Sequence, residues 1–188
     1  MNYKKLDIEK IIGNGEIKTE LELERASIAE RKLRVLSKKD ASLKTKRKKL
    51  RTLIEKYESK HWKNANSISE NKIKSSINAE SIANSEFDFI SKRKKLIKSK
   101  LKSLGINQQE FGKILGHDSK SYMSELMNGI SPFSLKDLII ISKLLRINLN
   151  KLIPTQIDEI EKTKIEQKIK SLGNSKIRLN KEKFVITR

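Results

Sequence analysis

A group of polar side chains near residue 120 offers the most specific chemistry in this chain. Lysine, serine, tyrosine and glutamate can all donate or accept hydrogen bonds at the edges of bases in a DNA major groove. The candidates for base contacts are Lys120, Ser121, Tyr122, Ser124 and Glu125. They lie at the start and on the outer side of a short predicted helix, a position from which side chains can reach base pairs.

A second group of side chains could bind phosphates. Gln108 and Gln109 open the preceding predicted helix, and the helix N-terminus would point its amides at the same anion. Residues 92–102 are rich in lysine and contain no acid, although a solvated helix face would explain the same lysines without DNA. The predicted phosphate contacts are Gln108, Gln109, Asn128, Lys136, Lys94, Lys95 and Lys98.

Two short helices joined by a tight turn must position these groups. The first begins at Asn107, a good N-cap, and ends at Gly116; the second begins near Ser119 and ends at Asn128-Gly129. Each helix has apolar residues at helical spacing, namely Phe111, Ile114 and Leu115 on the first and Met123, Leu126 and Met127 on the second. Because each has one face to bury, the two helices are expected to pack together.

Residues 106–153 resemble the Cro/repressor-type (XRE) helix-turn-helix family. Glutamine at the start of the first helix, the small residues Gly112 and Gly116, and the Asn128-Gly129 pair after the second helix carry this resemblance. The turn His117-Asp118-Ser119 is one residue longer than the family's common Gly-Val-Ser. The resemblance implies a five-helix DNA-binding domain, completed by Leu135, Leu138, Ile139 and Leu145, with Lys136 as a further phosphate contact.

Composition favours an all-α, nucleic-acid-binding protein. Of 188 residues, 36% are hydrophobic and 35% charged, which suits solvent-facing helices better than a thick core. The net charge of +20 attracts polyanions; nucleic acid is the obvious partner, and a ribosome or a membrane surface would fit the charge equally well. The chain has no cysteine, no apolar run long enough to cross a membrane and no signal region, so we expect a soluble, cytoplasmic protein.

The N-terminal residues predict a helical hairpin. A short helix is expected within residues 1–15, closed by Gly13-Asn14-Gly15. Two amphipathic helices follow, over residues 16–36 and 41–60, and a polar break at 37–40 separates them.

This hairpin is similar to the N-terminal helices of HigA-type antitoxins. The similarity rests on the acidic first helix and on the pattern formed by Leu53, Ile54, Tyr57, Glu58 and His61, followed in both cases by a helix-turn-helix. It implies that the hairpin binds and neutralises a messenger-RNA-cleaving toxin. The candidate partner-binding residues are Leu50, Ile54 and Tyr57.

We therefore divide the chain into four parts: a hairpin (1–62), a connector (63–85), a helix-turn-helix domain (86–154) and a C-terminal part (155–188). One continuous helix is expected over 78–104, and Asn148 is expected to start a short helix that Pro154 ends. The C-terminal part predicts a charged helix over 155–172 and a short β-strand over 176–186, which would need a partner strand.

No catalytic arrangement is visible in the sequence. His61 and His117 are far apart, the chain has no His-Glu-x-x-His pair and no glycine-rich phosphate loop, and we expect neither an enzyme nor a cofactor or metal. The leading hypothesis is a homodimeric repressor that reads an inverted repeat in double-stranded DNA, as an autoregulating antitoxin or as a free-standing regulator. A helical module for protein interaction and a basic RNA-associated protein are the alternatives.

Overall fold

A computed structural model describes residues 8–63, 68–154, 159–174 and 177, with the side chains of 159–161 excepted. This part of the chain is entirely helical, which confirms the predicted all-α fold class. Its α-helices are α1 (Ile8–Asn14), α2 (Glu20–Leu36), α3 (Leu43–His61), α4 (Glu70–Ser103), α5 (Gln108–Leu115), α6 (Lys120–Asn128), α7 (Leu135–Leu145) and α8 (Glu159–Ser171). A 3₁₀ turn, Leu149–Lys151, lies between α7 and α8.

The N-terminal helices pack into one apolar cluster. Helix α2 starts at residue 20, four residues later than predicted, because Thr19 caps it by accepting a hydrogen bond from the Glu22 amide at 3.1 Å. Leu33 on α2 and Leu50 on α3 are fully buried where the two helices meet. Ile130, which comes from the loop after α6, is packed into the same cluster. The hairpin is therefore joined to the C-terminal half of the chain through its core.

Helix α4 is a single element of 34 residues. Its N-terminal half packs on α2 through the small residues Ala79 and Ala83, and Arg25 on α2 forms an ion pair with Glu86. Its C-terminal half buries Ile97 and Leu101 in a second apolar cluster. The segment expected as a connector (63–85) is thus helical from residue 70 onward, and the proposed boundary at residue 85 falls inside α4.

The second cluster is the core of the helix-turn-helix. Phe111, Leu115, Met123, Leu126 and Met127 are buried in it, as predicted from their spacing. The domain has four α-helices, α4 to α7, and the short helix expected after Asn148 is the 3₁₀ turn.

Three residues assigned to this core by their spacing lie outside it. Ile114, Leu135 and Ile139 are 46%, 65% and 41% exposed. On α7, Leu138 and Leu145 are buried as predicted and Ile141 is buried in addition, while Leu135 and Ile139 lie on the solvent side.

The C-terminal part begins with α8, which covers most of the predicted charged helix. Except for Ile177, the strand expected over 176–186 lies outside the described residues. None of the helices in the described ranges has the length and apolarity needed to cross a membrane.

Candidate nucleic-acid interface

The turn between α5 and α6 sets the start of α6. Gly116 adopts φ of 84°, and the His117 amide donates to the Gly112 carbonyl at 2.8 Å. A Cβ on Gly112 would lie only 2.8 Å from the His117 carbonyl oxygen, so the close turn requires glycine there. Ser119 then caps α6 by accepting from the Tyr122 amide at 3.2 Å. The longer turn is accommodated, and α6 begins at Lys120, directly after Ser119, near which the helix was predicted to begin.

The five candidates for base contacts do not share one environment. Lys120 and Tyr122 are exposed, and the Tyr122 ring packs edge-on against His117 with ring centres 5.2 Å apart. Ser121 and Ser124 are half-buried. Of the five candidates, Lys120 and Tyr122 are the two that are exposed, and Tyr122 is 40% exposed.

Glu125 is buried rather than available to bases, contrary to the prediction. It is 5% exposed, and its Oε2 accepts hydrogen bonds from Lys46 Nζ at 2.6 Å and from Ser131 Oγ at 2.8 Å. Lys46 also pairs with Glu9. Burial lowers the pKa of Lys46, but its hydrogen bonds to Glu125 and Glu9 outweigh that effect and raise the pKa overall.

Ser121 contacts the loop between α2 and α3. Its hydroxyl donates to the Asp40 carboxylate, and the Ser42 hydroxyl lies 3.4 Å from the Ser121 oxygen. The hydrogen bonds from Ser121 and Ser42, together with nearby Lys120, lower the pKa of Asp40. An ionised carboxylate thus occupies the start of the helix expected to approach DNA.

Four of the candidate phosphate contacts are exposed: Gln109, Lys95, Lys98 and Lys136. Gln108 is half-buried. Asn107 Oδ1 accepts from the amides of Gln109 and Glu110 at 2.9 and 3.0 Å. Those two amides of the first turn are therefore already engaged, so the predicted phosphate contact at α5 would depend on the glutamine side chains.

Asn128 and Lys94, two of the predicted phosphate contacts, are half-buried and contact each other. Lys94 Nζ donates to Asn128 Oδ1 at 2.5 Å, and Lys32 Nζ donates to the Asn128 carbonyl at 2.7 Å. Burial, with the nearby charges of Lys94 and Arg93, lowers the pKa of Lys32 to about 8. Burial also lowers the pKa of Arg93 to about 10, and its guanidinium donates to the Leu152 carbonyl at 3.1 Å.

The residues expected to bind a partner lie in the core of the hairpin. Leu50 is fully buried, Tyr57 is buried and Ile54 is partly buried in the same cluster. The Tyr57 hydroxyl donates to Glu20 at 3.0 Å, and burial raises the pKa of Tyr57 to about 12. Because their apolar surface is already covered by α1 and α2, Leu50 and Tyr57 do not offer it to another protein in this structure.

Sequence reasoning missed the residues that hold the hairpin against α6. These are Lys32, Asp40, Ser42 and Lys46, each about 80 to 100 positions away from its contact on or just after α6. Periodicity and capping report only local structure, so nothing in the sequence pairs these groups. In the part of the chain that the structure describes, histidine and carboxylate side chains form no cluster suited to a metal ion.

Comparison with known families identifies the domain that contains α5, α6 and α7. A family model described as helix-turn-helix matches residues 97–152, which run from the end of α4 to the 3₁₀ turn. The chain therefore contains a helix-turn-helix domain of the XRE type, the domain of a class of DNA-binding regulators and not of an enzyme family. No curated protein and no solved structure was found to match the chain.

Proposed function

We propose that this protein is a sequence-specific transcriptional repressor whose helix α6 reads base pairs in the major groove. The observation that supports this most is the position of Lys120, which is exposed in the first turn of a capped helix inside a helix-turn-helix domain. Recognition helices of such domains contact base edges with the residues of their N-terminal turns. A lysine there can donate to guanine O6 and N7.

Exposed polar and basic side chains around α6 would bind the DNA backbone. Gln109 on α5, Lys136 on α7 and Lys95 and Lys98 on α4 come from three elements of the domain. Each lysine that neutralises a phosphate releases counterions, so the logarithm of the affinity is expected to fall by roughly 0.9 per contact for each tenfold rise in salt. These contacts position the protein without selecting a sequence.

Specific recognition by one short helix would need a second copy of the chain. A few side chains on α6 can specify only about half of an operator. Two recognition helices roughly 34 Å apart on a homodimer would read an inverted repeat, and the bound dimer would block polymerase.

The direct test compares two lysine variants on the two helices of the motif. Lys120→Ala removes the proposed base contact, whereas Lys113→Ala removes an exposed lysine of α5 to which no contact with DNA is assigned. Binding is measured by fluorescence anisotropy with the duplex upstream of the gene and with a scrambled duplex of equal length. We expect Lys120→Ala to lose the preference for the upstream duplex and to keep weak nonspecific binding, while Lys113→Ala keeps the preference. An unchanged preference in Lys120→Ala would show that α6 is not the reading element.

We further propose that the repressor acts as an autoregulating antitoxin of a HigBA-like type II system. The order of the elements along the chain supports this proposal. Helices α2 and α3 form the hairpin expected from the antitoxin resemblance, and the helix-turn-helix follows it. Because Leu50 and Tyr57 are buried, a toxin would bind the exposed outer side of the hairpin. Co-expression with the product of the neighbouring gene tests the idea: an antitoxin should copurify with that product and relieve its toxicity. If that gene product is not toxic or does not bind, the antitoxin proposal is wrong and the protein is a free-standing regulator.

Binding to different nucleic acids distinguishes a repressor from an RNA-associated protein and from a protein-interaction module. A repressor should prefer its upstream duplex to scrambled duplex and to RNA of equal length at physiological salt. Equal binding to all three would favour the RNA-associated alternative, and no binding to any of them would favour a protein-interaction module.

A further inference from the structure

One side of α6 is covered by the N-terminal hairpin. Ser121, Glu125 and Asn128 are separated by four and three residues, so they lie on the same side of the helix. Met123, Leu126 and Met127 lie on the other side, in the helix-turn-helix core. The side that carries Ser121, Glu125 and Asn128 is therefore opposite to the side packed in the core, and we call it the outer face of α6.

The contacts on the outer face come from three successive parts of the hairpin. Lys32 on α2 reaches the Asn128 carbonyl, and Lys46 on α3 reaches the Glu125 carboxylate. In the connecting loop, Asp40 and Ser42 contact Ser121. The hairpin thus contacts α6 at three points, in its first turn, near its middle and at its last residue.

This arrangement leaves no room for DNA on the same face. A major groove roughly 12 Å wide admits one helix, whose diameter with side chains is roughly 10–12 Å. A groove of that width cannot also hold the loop at Ser121 and the lysine side chains that reach α6 from α2 and α3. The ionised carboxylate of Asp40 at the start of α6 would also repel phosphates.

The contacts that the hairpin makes with the outer face of α6 are mostly of a kind that can be exchanged for water, whereas α2 also packs on the N-terminal half of α4. They consist of ammonium, carboxylate, hydroxyl and carbonyl groups, with Ile130 as the buried apolar residue that joins the loop after α6 to the hairpin core. Polar contacts between parts of one chain resemble those of transient interfaces, which open more readily than apolar ones.

We propose that the hairpin and DNA compete for the outer face of α6, so that the structure is a closed form of the protein and specific DNA binding requires the hairpin to move off. This inference rests on the proposed function, since it concerns the same recognition helix. The closed form lowers the apparent affinity for DNA by the fraction of molecules that are open. Any partner that binds the displaced hairpin would then strengthen DNA binding, and any partner that stabilises the closed contact would weaken it.

A disulfide between the loop and α6 tests the competition directly. The chain has no cysteine, so Ser42→Cys with Ser121→Cys introduces the only two thiols. The serine oxygens lie 3.4 Å apart, and a small shift brings two sulfur atoms to bonding distance of about 2.0 Å. The double variant is compared with itself, oxidised and reduced, in anisotropy titrations with the upstream and scrambled duplexes. The single variant Ser42→Cys receives the same treatments as the control.

We expect the oxidised double variant to bind the upstream duplex at least tenfold more weakly than the reduced form, with no such difference in the control. Equal affinity in both states would overturn the competition while leaving the proposed function intact. If wild type and the Ser42→Cys control show no preference for the upstream duplex in either state, the proposed function itself is wrong.

A charge reversal provides the opposite test, namely release of the hairpin. Lys46→Glu would place a third carboxylate beside Glu125 and Glu9, whereas Lys44→Glu makes the same change of net charge at an exposed position two residues away. We expect Lys46→Glu to bind the upstream duplex about tenfold more tightly than Lys44→Glu. A folded Lys46→Glu protein, judged by circular dichroism, that binds no better than Lys44→Glu would contradict the inference. If Lys46→Glu does not fold, the disulfide experiment decides.

Discussion

Lys46 on α3 donates a hydrogen bond of 2.6 Å to Glu125 on α6, a residue 79 positions away in the sequence. The pair is largely shielded from water, since the lysine and glutamate side chains are 19% and 6% exposed. At such a site the two charges stabilise each other, and either one alone is unfavourable. The pair therefore couples the hairpin to α6 energetically as well as geometrically.

This coupling predicts the result of a double-mutant cycle. Lys46→Met and Glu125→Met should each lower the free energy of unfolding, and the double variant should recover part of the loss. We expect a coupling energy of about 1–3 kcal/mol from urea unfolding. Lys44→Met replaces Lys46→Met in a matched control cycle, because Lys44 is exposed on the same helix. Additive losses to within about 0.5 kcal/mol would show that the ion pair has no net role.

Two glycines allow a comparison of backbone strain and steric contact. Gly129 and Gly116 both have positive φ, 71° and 84°, but a Cβ on Gly129 would lie 2.7 Å from Ile90 Cδ1, whereas a Cβ on Gly116 has open space. Alanine at either position pays the cost of positive φ, about 1 kcal/mol. Gly129→Ala should cost a further 1–3 kcal/mol, roughly, because Ile90 is buried and must move. Thermal unfolding of the two variants measures the difference. Equal losses of stability would mean that Ile90 can move away from the added Cβ at little cost.

The burial of Leu50 distinguishes a core residue from a docking residue. Leu50→Ala should lower the free energy of unfolding by about 2–5 kcal/mol, because it leaves a cavity between α2 and α3. Ile77→Ala on α4 is the control, since Ile77 is 61% exposed and its loss should change stability little. An unaffected Leu50→Ala protein would return Leu50 to the list of partner-binding candidates.

The local features of the fold could be predicted from the sequence because they depend on neighbouring residues. Asn107, Gly116 and Ser119 mark the ends of α5 and α6, since capping involves groups three or four positions apart. Burial was harder to predict. Ile114 and Leu135 have suitable spacing, but short helices carry apolar residues over a wide arc, and only the part that meets a neighbouring helix is buried.

Contacts between distant segments could not be predicted. The asparagine- and serine-rich segment 68–85 has the composition of a connector, yet the small residues Ala79 and Ala83 let it pack closely on α2 as part of a long helix. In the same way, the sequence offers many charged residues but does not tell which of them meet. The position of Glu125 on α6 predicts a base contact. Its observed partner, Lys46, lies in a lysine-rich helix, and the sequence does not distinguish this lysine from its neighbours.

Lys32 predicts a rise in stability at alkaline pH. Its pKa is about 8 in the folded protein and near the ordinary value of 10.5 when the chain is unfolded, because burial and the charges of Lys94 and Arg93 disfavour the ammonium form. Below pH 8 Lys32 is protonated in both the folded and the unfolded state, and the cost of burying its ammonium group lowers the free energy of unfolding in full. Between pH 8 and 10.5 the unfolded chain binds more protons, so raising the pH favours folding.

From pH 7.5 to 9.5 the free energy of unfolding should therefore increase by about 1–2 kcal/mol through Lys32, with the lower value allowing for its remaining exposure. This window lies below the range in which the raised pKa of Tyr57, about 12, acts in the opposite direction. Urea unfolding of Lys32→Gln is compared with that of Lys38→Gln, an exposed lysine of the adjoining loop with the same change of charge. The Lys38 variant should keep the rise and the Lys32 variant should lose most of it. Equal slopes in the two variants would show that Lys32 keeps its proton throughout this range, and hence that the ammonium at the Asn128 carbonyl is better solvated than its burial indicates.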